Sequence, residues 1–148
     1  MIKYELVSYR KIWPEMNEIW ELEHRIEAQG VDSKAQLAKE LYFRHDVLGS
    51  LQTLIAKDKD KLIGYVVSFI LQNNPFKGDT SAHTAFYYLL QFYRTQGIGK
   101  QMIQLSEDML RRKGVDYIYF STKSHLNYTS MFKHFGYDEC EITMRKKL

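Results

Sequence analysis

Tyr93-Arg94-Thr95-Gln96-Gly97-Ile98-Gly99-Lys100 sits between an apolar run, Ala85 to Tyr93, and a long amphipathic one, Ile98 to Lys113. The pattern reads as strand, glycine turn and helix start. Two glycines one residue apart let the backbone reach positive φ and approach a ligand closely. The first turn of the following helix leaves several N–H groups without a carbonyl partner, which makes an anion cradle. Arg94 at the entrance and Lys100 just inside add positive charge that suits phosphate or pyrophosphate, so the stretch predicts a phosphorylated cofactor.

Working outward, the spacing predicts a first strand over Ile2 to Tyr9 and an amphipathic helix over Pro14 to Gln29, closed by Gly30. His24 and Glu27 lie at its end, three residues apart. Ser33 with Gln36 has the form of a capping box and predicts a second helix with its stripe running to Leu48. Leu51 to Ala56 and Leu62 to Leu71 flank the charged tip Lys57 to Lys61, a hairpin whose second arm is apolar enough for mid-sheet. Asn73 to Thr80 is the clearest loop. Beyond it come a strand over Ala82 to Phe92, the helix to Lys113, a strand over Val115 to Ser121, a short helix over Tyr128 to Phe135, and a closing strand in which Cys140, Ile142 and Met144 alternate with polar residues.

At 148 residues the chain is expected to be one domain, 1–148, with a single core. Aromatic residues make up 14% of it and supply large, rigid packing groups. The net charge is +3, a basic excess too small and too dispersed to argue for nucleic acid. Even the basic clusters Arg111 to Lys113 and Arg145 to Lys147 suggest such a module only as a distant rival. A single cysteine rules out an intrachain disulfide and a multi-thiolate zinc site, so no metal is expected and a reducing cytoplasm is the default. The polar amino terminus and the absence of a 20-residue apolar run predict neither a signal peptide nor a membrane span.

The glycine turn, with the segment Phe132-Lys133-His134-Phe135-Gly136-Tyr137, resembles the GNAT superfamily of acyl-CoA-dependent N-acetyltransferases, and the element order extends that resemblance over essentially the whole chain. The small size, the Glu141 to Leu148 ending and the His83 segment also resemble small phage-type members. The resemblance implies an α/β fold (α+β), a mixed, mostly antiparallel sheet with helices on both faces in the order β-α-α-β-β-β-α-β-α-β. It implies acetyl-CoA as co-substrate. The amides of Gln96 to Lys100 would hold the pyrophosphate, with Arg94, Thr95, Gly97, Ile98 and Gly99 in the same loop; the backbone of Leu89, Leu90 and Gln91 would pair with the pantetheine arm, and Asn127 would also contact the cofactor. A homodimer through the last strands is compatible with it.

The chemistry follows from an amine attacking a thioester. With a pKa near 10.4 the amine is about one part in a thousand neutral at pH 7, so a proton acceptor is needed. Family members often carry a glutamate on the strand before the glycine turn, but Ala82 to Phe92 holds no carboxylate. His83, His125 and Glu27, the last beside His24, are the candidate proton carriers; a surface role for either of the first two and a solvated helix end for the pair are the structural alternatives. The tyrosine often found in the family's last helix corresponds here to Phe132, which leaves Tyr128, one turn earlier, as candidate donor to the thiolate. Cys140 alternates with core-type residues and has no neighbouring base, so direct transfer in a ternary complex is expected rather than a cysteine intermediate. The acceptor is an amine of a small molecule or peptide. The absent strand glutamate and Phe132 together favour one rival reading, a catalytically weak or inactive GNAT-fold protein acting through a protein partner.

Overall fold

The computed structural model describes residues 1–30, 33–72 and 79–148. Among these residues five strands form one sheet in the order β1-β2-β3-β4-β5: β1 (Ile2–Leu6), β2 (Leu51–Asp58), β3 (Lys61–Leu71), β4 (Ser81–Leu89) and β5 (Tyr117–Tyr119). The first four are antiparallel neighbours and β5 joins β4 in parallel. The core segments of β2 and β3 are buried almost without interruption, as central strands covered on both faces must be. Gln52 of β2 reaches α4 (Ile98–Arg112), where its side-chain amide donates to the Ser106 carbonyl at 3.1 Å. Tyr65 of β3 reaches the amino-terminal helix on the other face, through His24. Helices therefore cover both faces, and the α/β architecture expected from the sequence is the observed one.

The amino-terminal helix differs from the expectation in its start. It begins at Tyr9 (α1, Tyr9–Ile19), widens into a π turn over Trp20–His24, and continues as α2 (Arg25–Gln29), with Pro14 inside it. Ser8 provides the start: its carbonyl accepts from the N–H of Lys11 and of Ile12, both at 3.1 Å, while its hydroxyl is tied to Asp46 of α3 (Glu40–Val47). The π turn places Trp20 and His24, four residues apart, on the same buried side.

The second helix is shorter than the capping box predicts, and the reason lies in where its carbonyls go. Residues 33–39 are not helical, because the Ala38 carbonyl accepts from the Tyr9 hydroxyl at 2.6 Å and the Trp13 indole at 3.1 Å, and the Ala35 carbonyl accepts from the Trp20 indole at 2.9 Å. Ser33 accepts from the N–H of Ala35, a local turn rather than a helix cap. Three aromatic donors from α1 and the π turn thus hold this segment in place of i→i−4 bonds.

The closing strand expected around Cys140 to Met144 is the other departure. Tyr137 is held by its hydroxyl, which donates to Glu107 at 2.6 Å, and Lys133 pairs with Glu139 at 3.3 Å. Beyond that point the chain has no regular element; Cys140 is exposed, and Ile142 and Met144 are 90% and 88% exposed. Alternation alone does not make a strand where no neighbour accepts its apolar side. The loop read at Asn73 to Thr80 falls, over residues 73–78, outside the described residues.

Candidate functional site

β4 and β5 pair only where Ser81, Ala82 and His83 face Tyr117, Ile118 and Tyr119. From Thr84 onward the two strands part, and β4 runs to Leu89 with no strand on that side among the described residues. A cavity of about 340 Å³ occupies the gap, bounded by β4, the start of α4, α5 (Thr129–His134) and the end of α2.

One wall is the glycine turn. Gly97 caps α4 at φ 76°, the left-handed region that glycine enters without cost. The N–H groups of Gly97, Ile98, Gly99 and Lys100 have no acceptor among the described residues. Gly99 is needed for space: a Cβ there would lie 2.6 Å from the Tyr87 hydroxyl. Gly97, Gly99, Lys100, Arg94 and Leu89 line the cavity, whereas Leu90, Gln91, Thr95, Gln96, Ile98 and Asn127 are not on its wall. Asn127 instead accepts from the Thr129 N–H at 2.9 Å, the local bond that starts α5.

The opposite wall is a side-chain cluster centred on Glu27. Arg94 grips its carboxylate with two hydrogen bonds, 3.0 and 2.6 Å, and donates its Nε–H to the Leu89 carbonyl at 2.9 Å. The guanidinium also sits over the Tyr88 ring, 5.1 Å from its centroid. Arg94 is therefore committed to the protein, and Lys100 and Lys123 are the other cations on the cavity wall. The Tyr128 hydroxyl donates to Glu27 at 2.9 Å across 101 residues of sequence. Burial works to raise the Glu27 carboxyl, but the hydrogen bonds from Arg94 and Tyr128 and the charge of Arg94 outweigh it and hold the group below the usual carboxylate range. Burial, and then the bond to Glu27, push the Tyr128 phenol up, so it keeps its proton at neutral pH.

His24 completes this wall. It is 8% exposed, bonded through Nδ1 to the Tyr65 hydroxyl at 2.7 Å, and stacked on Tyr88 with ring centroids 4.3 Å apart. Burial lowers its pKa to about 4, so the imidazole is neutral at physiological pH. Of the four proton carriers expected from the sequence, Glu27 and Tyr128 meet here. His83 and His125 do not: His83 stacks on Tyr119 and bonds to Ser81, and His125 is exposed away from the cavity wall. Phe132 packs on Phe120 and contributes only its ring to the wall. Cys140 is not on it.

A family model described as Acetyltransferase (GNAT) family matches residues 13–137, which includes both walls. The chain belongs to the GNAT acetyltransferase family. No curated protein matches its sequence. Among solved structures, an aminoglycoside acetyltransferase from an uncultured soil metagenomic sample, in complex with sisomicin, is similar at a TM-score of 0.74 and 16% identity, covering 99% of this chain and 96% of that one. A transcriptional regulator from Bacillus halodurans is similar at 0.78 and 12%, covering 100% of each chain. Glucosamine-6-phosphate N-acetyltransferase from Arabidopsis thaliana is similar at 0.71 and 11%, covering 99% and 98%. At these identities the likeness shows a shared fold. GNAT members generally use acetyl-CoA, and the unsatisfied amides at α4, with Lys100 beside them and an apolar wall of Phe120, Met131, Phe132 and Phe135, fit a ligand that carries pyrophosphate at one end and a thin, largely apolar arm.

Proposed function

We propose that the protein is an acetyl-CoA-dependent N-acetyltransferase that passes an acetyl group to an amine by direct transfer in a ternary complex, with the whole chain serving as one GNAT unit. The observation that carries this reading is that the free amides of the α4 turn and the ionised Glu27 open on the same cavity. Acetyl-CoA supplies the acetyl thioester. The α4 amides and Lys100 hold the pyrophosphate, and the strand-free side of β4 from Thr84 to Leu89 offers its backbone to the pantetheine arm. Glu27 draws the acceptor's ammonium and takes its proton, directly or through one water, which frees the nitrogen lone pair for the new C–N bond, and the second proton the nitrogen sheds as the amide forms passes to solvent. As the C–S bond breaks, Tyr128 donates its proton to the departing sulfur and regains one from solvent. A cytoplasmic setting belongs to this reading and is supported by the single cysteine.

The test is a thermal-shift titration with acetyl-CoA, followed by thiol release over a panel of amines that starts with aminoglycosides and amino sugars, the acceptors named for two of the similar structures. Saturation at about 100 times Kd is expected to stabilise the fold by about 2.7 kcal/mol. No shift at millimolar cofactor overturns the reading. The prior engagement of Glu27 by Arg94 and Tyr128 favours one rival, a GNAT-fold binding protein with weak or no transfer; cofactor binding without thiol release from any amine is its signature.

A further inference from the structure

His24 has no part in the proton transfers above, yet it is the only imidazole on the cavity wall among the described residues. We propose that Tyr65 locks His24 as the Nε2–H tautomer and that this N–H serves as a hydrogen-bond donor to the acyl carbonyl oxygen; the role rests on the acetyltransferase reading, whereas the tautomer does not.

The tautomer follows from a count of donors. Tyr65 is 0% exposed, and its hydroxyl has one partner among the described residues, His24 Nδ1 at 2.7 Å. If Nδ1 carried the proton and donated to Tyr65, the buried phenolic hydrogen would have no acceptor, at a cost of about 1–3 kcal/mol. Burial also drives the Tyr65 phenol well above its usual pKa, so its hydrogen is present to be donated. The phenol must therefore donate to Nδ1, and in a neutral imidazole the proton then resides on Nε2.

The ring cannot turn away from this arrangement. It is stacked on Tyr88, meets Trp20 edge-on at 4.9 Å and lies against Phe86, while the charged groups that face it, Glu27 and Arg94, are paired with each other. Nε2 has no protein partner among the described residues. It is also not sealed off, since the enclosed side-chain atoms lacking a partner are Arg25 Nε, Gln52 Oε1 and Thr53 Oγ1. Its remaining exposure belongs to a residue on the wall of the cavity that Glu27 also lines. With Nδ1 occupied and Nε2 protonated, His24 has no lone pair with which to act as a base. A fixed, neutral, desolvated N–H is instead the kind of group that stabilises charge developing on a carbonyl oxygen during attack.

Nitrogen-15 correlation spectra of the unliganded protein test the tautomer. A pyrrole-type Nε2 and a pyridine-type Nδ1 are expected, and loss of that single form is expected in Tyr65→Phe; a protonated Nδ1 in the wild type overturns the proposal. Acetyl-CoA is expected to shift the Nε2–H resonance, and the thioether S-ethyl-CoA, which lacks the carbonyl, is not. Equal shifts from both overturn the donor role. In kinetics, His24→Phe is expected to lower kcat about 100-fold with acetyl-CoA KM nearly unchanged, and His24→Gln, which keeps an N–H donor, to recover part of it. Should His24→Phe fold poorly because Tyr65 is left unpaired, the double variant with Tyr65→Phe removes that penalty and carries the same expectation. An unchanged kcat in either overturns the role. A wild-type protein that transfers to no amine overturns the acyl role together with the function, while the spectrum still decides the tautomer.

Discussion

One wall of the cavity is built from backbone and the other from side chains, and they respond differently to change. At α4 the open groups are N–H bonds with no acceptor among the described residues, those of Gly97, Gly99 and Lys100 on the cavity wall, fixed by a left-handed Gly97 and by the room Gly99 leaves for Tyr87. Around Glu27 the groups come from α2, β3, β4, the turn before α4 and the approach to α5, and they are held by one another. A backbone cradle survives replacement of most side chains near it. A side-chain network loses its geometry when one member goes, because the partners left behind lose the bonds that held them in place. The first wall suits holding; the second suits chemistry.

The sharpest way to separate them is Glu27→Gln. The amide keeps the shape of the carboxylate but cannot accept a proton, so kcat is expected to fall by about 10²–10⁴. Acetyl-CoA affinity, read by calorimetry, is expected to stay within a few-fold because the α4 amides are untouched. Equal losses in binding and turnover would mean that the two walls are not functionally distinct.

The side-chain wall also sets a pH dependence that the backbone wall lacks. The folded-state pKa of His24, about 4, lies below the ordinary value of 6.5, so the unfolded chain binds the proton more readily. Its neutral burial therefore contributes stability above pH 6.5, and that contribution is lost as pH falls from about 6.5 to 4. The loss is up to about 3 kcal/mol for this one group. Chemical denaturation of wild type and of His24→Gln across that window is expected to give a difference that narrows toward acid. Parallel curves would show that His24 is solvated or protonated in the folded state. Glu27, whose pKa is depressed, has the carboxylate sign: its contribution is present above the unfolded carboxylate pKa of about 4.3 and goes only at lower pH, which keeps the two titrations apart.

Gly99→Val probes the first wall. A Cβ 2.6 Å from the Tyr87 hydroxyl forces Tyr87 or the start of α4 to move. An overpacking cost of about 1–3 kcal/mol corresponds to roughly 10–100-fold weaker acetyl-CoA binding, with kcat at saturation little changed. A drop in kcat at constant Kd would contradict the division of labour.

The same contrast explains what could be read in the chain before folding. The glycine turn, its preceding strand and its helix are contiguous, so local spacing reveals them, as it does the β2–β3 hairpin. The Glu27–Arg94 pair spans 67 residues and the Glu27–Tyr128 bond 101, and no local pattern reports either. His24 was visible three residues before Glu27, but its neutral state depends on burial against Tyr65 and Tyr88, which only the packed sheet supplies. His83 was the candidate proton carrier at the start of the strand, and strand register places it beside Tyr119 instead. Local rules also yielded to tertiary demands at Ser33 to Lys39, where aromatic donors from the first helix took the carbonyls a longer helix would have used.

The smallest expected effect lies outside both walls. Cys140, Ile142 and Met144 carry a strand's alternation without a partner among the described residues, and Ile142 at 90% exposure has almost no apolar burial to lose. Ile142→Asp is therefore expected to change stability by less than about 0.5 kcal/mol and to leave acetyl-CoA binding unaltered. A destabilisation of about 2 kcal/mol, or one that grows with protein concentration, would mean that this alternating segment buries its apolar side against something in solution. The short β5 edge, whose first residue Tyr117 is exposed, would then be the first surface to test for a strand partner.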